Sequence, residues 1–102
     1  MKEIKLLCEN IREEMEDAEK YANLAIKYKD SERELAETFA TLSKQEVGHA
    51  EALHEQVVRC IREYRSKHGE PPASMLAVYD WEHEHMIEDM AAVKRLHELY
   101  RG

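Results

Sequence analysis

Residues 35–64, LAETFATLSKQEVGHAEALHEQVVRCIREY, set an apolar side chain every three or four positions at Leu35, Phe39, Leu42, Leu53, Val57, Ile61 and Tyr64. A period near 3.6 gathers these residues on one stripe of an α-helix, and no proline cuts the run before residues 66–72, SKHGEPP. The spacing therefore predicts a helix of roughly 35 residues, about 50 Å long. Upstream, Ile4, Leu7, Ile11, Ala18, Tyr21, Ala25 and Tyr28 form a second stripe, which predicts a helix over about residues 3–29. Asp30 and Ser31 interrupt it, and Ser31 followed by Glu34 reads as a capping box for the helix that follows. Downstream, Gly69 can take a left-handed backbone to close the long helix, Pro71 and Pro72 stop propagation, and Pro72 can enter the next first turn. Met75, Val78 or Tyr79, Met86, Val93, Leu96 and Tyr100 then mark a third helix over about residues 73–100.

The expected architecture is one all-α domain spanning residues 1–102. Residues 3–67 form a long antiparallel hairpin, because its joint is too short for any other arrangement, and the third helix docks on or beside it. Three helices close a core less well than four, so a second copy covering the open face of the hairpin is expected to complete a four-helix core.

Composition narrows the function. With 43% apolar and 36% charged residues, three Gly and two Pro, the chain is neither a disordered segment nor a sheet protein punctuated by turns. A net charge of −7 sets it against nucleic acid and anionic membranes and favours cations as guests. No run of 18 apolar residues exists, and residues 1–10, MKEIKLLCEN, carry charges where a secretory leader needs an apolar core. A cytoplasmic location is the expectation. Cys8 and Cys60 stand far apart in apolar register, without the spacing of a thiolate knuckle or a redox pair, and read as buried free thiols.

What interrupts the stripes is more specific. The first register, 4, 7, 11, 14, 18, 21, 25, passes through Glu14, and the second, 35, 39, 42, 46, 49, 53, 57, passes through Glu46 and His49 in the run Glu46-Val47-Gly48-His49. A buried carboxylate needs a proton, hydrogen bonds or a cation to offset its lost hydration. Residues three apart share a helix face, so Glu46 and His49 can offer oxygen and nitrogen to one ion. Glu14 lies 17 residues before Ser31, while Glu46 and His49 lie 15 and 18 after it, which puts all three about 22–27 Å from the turn. Two carboxylates and one imidazole are too few for a two-metal centre, but two hairpins about a twofold axis would supply four Glu and two His. Oxygen-rich donors with some imidazole suit iron or manganese, and zinc can occupy them. The bland alternative is a buried ion-pair network with Lys or Arg.

The third segment offers Glu82-His83-Glu84-His85, again Glu-x-x-His, followed by Asp89, and the register 78, 82, 85, 89, 92, 96 would bury Glu82, His85 and Asp89 together. Counting from the joints leaves this group about 15 Å from the level of Glu46 and His49. The third helix is therefore expected to act as a cover or oligomer contact, with an access route or a secondary metal site at Glu82 and His85, or with these residues simply exposed. Gly48 is expected to ease close helix approach, and His54, His68, His83 and His97 to face solvent.

At Glu14, Tyr21 and residues 46–50, EVGHA, the chain resembles the ferritin-like superfamily, closest to rubrerythrin-type and short encapsulated-ferritin proteins, over about residues 7–65. Their pattern is a first-helix Glu followed seven residues later by Tyr, and a second-helix Glu-x-x-His. The resemblance implies a centre of two iron ions, Mn or Zn being alternatives, held by Glu14, Glu46 and His49 of each chain in a dimer. It implies a ferroxidase, oxidising Fe(II) with O2 or peroxide, with Tyr21 beside the ligands. The short encapsulated type also brings in a shell protein as a partner, although no cargo tail is recognised in Tyr100-Arg101-Gly102. The paired-cysteine iron knuckle of complete rubrerythrins is missing, as is the second pair of helices with its own ligands. The competing expectation is a non-enzymatic helical dimer that binds another protein or holds a structural Mn or Zn ion.

Overall fold

The computed structural model describes residues 2–102, folded into α1 (Lys2–Tyr28), α2 (Arg33–His68) and α3 (Ala73–Arg101). They make an up-down-up rod of 56 × 17 × 16 Å. No strand occurs among the described residues. The three helices fall where the apolar period puts them, but the joints differ in detail. α2 starts at Arg33, with Glu32 in an extended conformation as its first flanking residue and no side chain capping it. The expected Ser31 box does not form, because α1 ends in a tight turn in which the Glu32 amide donates back to the Tyr28 carbonyl (2.8 Å), leaving Ser31 inside the turn. Glu34 still stands in the first turn of α2, where the helix dipole favours an anion.

At the far end of α2, Gly69 takes φ +80° and its amide donates to the Arg65 carbonyl at 3.1 Å. This is the backbone that only glycine adopts without strain. Pro72 lies one residue outside α3 rather than inside its first turn, and its carbonyl accepts from the Met75 and Leu76 amides.

Packing is graded along the rod. Near the α1–α2 turn the interface is built from Ala18, Ala22, Ala25, Ala36 and Ala40, small enough for two helices to approach closely; toward the other end it is built from Ile4, Ile11, Val57, Ile61 and Met75. α3 lies mainly along α1 and meets α2 at few points. Its buried line is Met75, Met86 and Val93 with Tyr79 half-buried, so Tyr79 rather than Val78 carries the stripe. The 78, 82, 85, 89 register is thus a flank rather than the centre of the buried face, and His85 on it is exposed. Leu35, in the first turn of α2, is also exposed.

Cys8 and Cys60 are buried free thiols. Burial, with Glu82 adding to it, pushes the Cys8 thiol up to about 11, so it stays protonated and inert at neutral pH. Gly48 is exposed, and a β-carbon added there meets nothing within 4 Å, so it eases no helix contact within the chain. Gly48→Ala is accordingly expected to stabilise the protein by about 0.5–1 kcal/mol, through helix propensity alone. Urea unfolding would check this, and an unchanged or lower midpoint would show that the glycine has a packing role.

Candidate metal centre

The register 4, 7, 11, 14, 18 in α1 splits in two. Ile4, Ile11, Ala18 and Ala25 are fully buried, whereas Leu7, Glu14, Tyr21 and Tyr28 form a half-buried flank beside α2. In α2, Phe39, Leu42, Glu46 and Leu53 are half-buried on the corresponding flank, with His49 at its rim. α3 is held on the other side of the hairpin, through Arg12 of α1 and through Ser43 and His54 of α2. One long groove of the hairpin is therefore left without a third helix over it.

Glu14, Glu46 and His49 meet in that groove. His49 Nδ1 lies 3.4 Å from Glu14 Oε2 and 3.8 Å from Glu46 Oε2. One donor atom from each residue falls within 4.8 Å of the others. Two ligands that each sit about 2.1 Å from an ion can be at most about 4.2 Å apart, so a small closing movement suffices. The carboxylate side chains are 27% (Glu14) and 18% (Glu46) exposed, and the His49 side chain is 60% exposed. Glu14 Oε2 is itself buried and has no hydrogen-bond partner. An anionic oxygen in that position loses its water and has only the His49 ring at 3.4 Å beside it, a deficit that a cation would correct.

The expected rival, an ion-pair network with Lys or Arg, is not what forms. Among the described residues, neither carboxylate pairs with Lys or Arg, and both face His49 only. The donor set, two carboxylates and one imidazole, fits a borderline divalent cation such as iron, manganese or zinc.

The remaining sequence candidates go elsewhere. Tyr21 shares the flank with Glu14, but its ring stacks on Phe39 at 6.0 Å, and Phe39 stacks in turn on Tyr28 at 6.2 Å. Glu82 is taken by Arg12, which also lies over the Trp81 ring. His85 packs against Trp81 with ring centres 3.8 Å apart and donates from Nδ1 to the Trp81 carbonyl at 2.8 Å. Neither Glu82 nor His85 belongs to the three-residue group. Asp89 is half-buried, and burial raises its carboxyl above the ordinary range, opposed by His85 nearby.

Three of the histidines expected in solvent are half-buried instead. His54 and His83 stack at 5.0 Å, almost parallel, with Tyr79 alongside both. His97 meets Ser43, the one fully buried polar side chain among the described residues. Sequence pattern gives one signal for the latter, since Ser43 continues the buried series Ala36, Ala40, Ser43 and Ala50.

No family model matches the chain, and no curated protein or solved structure matches it. Among the described residues, no helix is long and apolar enough to cross a membrane.

Proposed function

We propose that the chain binds divalent metal at Glu14, Glu46 and His49 and oxidises ferrous iron there. The single observation that carries this is the buried Glu14 Oε2, which makes no hydrogen bond inside a group of three suitable donors. Glu14 and Glu46 would neutralise the ion and His49 would add a nitrogen donor. The uncovered groove supports a twofold partner, whose own Glu14, Glu46 and His49 would bring the donor count to that of a two-iron centre. Iron is the substrate in this reading: two Fe(II) give up two electrons to O2, which with two protons leaves as hydrogen peroxide. The acidic surface, at net charge −7, draws cations in. The free thiols are consistent with work in the reducing cytoplasm.

Anaerobic titration with Fe(II), followed by admission of air, tests the proposal. The expected result is about one iron per chain, with an absorbance change that requires oxygen. A chain that takes up Mn or Zn but does not turn over iron would be a structural metal protein. A second reading is favoured by one contact: His49 faces both carboxylates, and as an imidazolium it would balance part of their charge without metal. That reading makes the protein a metal-free helical interaction module, and no metal uptake at all in the titration would establish it over the first.

A further inference from the structure

The two faces of α3 are joined to the hairpin by different chemistry. Against α1, the contacts are apolar packing of Met75, Met86 and Val93 with residues such as Ile4 and Ile11, plus the Arg12–Glu82 pair and the Arg12–Trp81 contact. Against α2 the polar and ring contacts seen among the described residues involve histidines. His54 of α2 stacks on His83 and Tyr79 of α3, and Ser43 of α2 meets His97 of α3 at 2.7 Å. The Ser43 hydroxyl donates its only hydrogen to the Ala18 carbonyl of α1 at 2.6 Å. It can therefore only accept from His97, whose Nε2 must carry a hydrogen. An additional proton on His97 has to go to Nδ1, and Lys44 of α2 and Arg101 of α3 both disfavour that charge.

We propose that the α2–α3 seam is a proton-sensitive joint, in which charging His54 and His97 releases α3 from α2 while α3 stays docked on α1. Two near-parallel imidazoles 5.0 Å apart tolerate one charge, which can rest over Tyr79, but not two. The seam is also thin, so few other contacts resist its opening. Opening would widen the small cleft between the helices, lined by Cys8, His54, Val57, Tyr79, His83 and Met86 among others.

The charged and titratable groups facing the joint favour the closed form at neutral pH. His54 is held below the ordinary 6.5 by burial first and by His83 second, with Glu55 of its own helix opposing. Cys8 from α1 and Glu82 from α3 line the same cleft. His97 is held below 6.5 by burial, then by Lys44 and Arg101. Folded values below the unfolded one mean that closed protein binds fewer protons than open protein. The stability of the joint is thus complete above about 6.5 and is lost as pH falls through the lowered values.

Cys8 supplies the probe. 4,4′-Dithiodipyridine reacts with thiols in acid, and peptide mapping separates modification of Cys8 from that of Cys60. With the intrinsic pH response of a free cysteine peptide divided out, Cys8 labelling should rise about tenfold between pH 7.5 and 5.5, as expected for at least one linked proton. Cys60 should not follow, and helix content by circular dichroism should hold. The His54→Gln/His83→Gln double variant should flatten the Cys8 rise. Should that variant fold poorly, imidazole NMR titration of the unmodified protein replaces it, with the His54 and His97 rings expected to titrate below 6.5 together with α3 amides facing α2. A Cys8 rate that does not rise, a rise shared by Cys60, a rise kept in the double variant, or NMR titration without movement of those amides would each overturn the proposal.

Discussion

Glu46→Ala is expected to weaken metal binding by at least about 100-fold, whereas Glu82→Ala leaves it nearly unchanged. The difference follows from placement. Glu46 is the less exposed of the two carboxylates that face His49, and losing one of three donors leaves an ion with two, while Glu82 is committed to Arg12 on the other side of the hairpin. Glu14→Leu adds a sign that a merely structural carboxylate would not give. Glu14 Oε2 is buried and makes no hydrogen bond, so an apolar side chain of comparable volume should raise the stability of the metal-free protein by about 1 kcal/mol, allowing for its partial exposure, while abolishing the metal-induced rise in Tm. Isothermal titration with Mn(II) or Zn(II), and thermal melts with and without metal, read both effects. Tight binding retained in the Glu46 and Glu14 variants would remove the centre from this groove.

Ser43→Ala should cost about 1–3 kcal/mol, a fall in Tm of about 4–8 °C for each kcal/mol. One hydroxyl with no solvent exposure donates to the Ala18 carbonyl of α1 and accepts from His97 of α3, so its loss leaves partners in two other helices without their bond. The Ser43→Ala/His97→Ala double variant closes a cycle, and a coupling of about 0.5 kcal/mol or more between the two sites is expected. Additive losses would mean that the contact does not hold α3 in place.

How far these features were legible in the sequence depends on the range over which their causes act. Helix positions follow from local periodicity, and the counts from the joint correctly put Glu14 level with Glu46 and His49, since a helix rises uniformly and the connection is only four residues. Ser31 misled because a capping box is a local preference, and the turn closed on the Tyr28 carbonyl first. The histidines misled for a different reason. His54, His83 and His97 sit beside the apolar stripes, and whether such a position meets solvent or another helix depends on how α3 rolls onto α1. That roll is set by long-range packing, in which Met86 and Val93 are buried and Val78 is left out. Arg12 and Glu82, 70 residues apart, were invisible as a pair for the same reason.

The hairpin keeps its acidic groove and its third helix on opposite sides. Opening of the α2–α3 seam, as proposed, would therefore leave the donor atoms of the groove where they are, and acid would act on a bound cation only by direct competition for those atoms. Loss of metal in acid and release of α3 would then be two separate events on one hairpin, the first at the ligand atoms and the second at the seam.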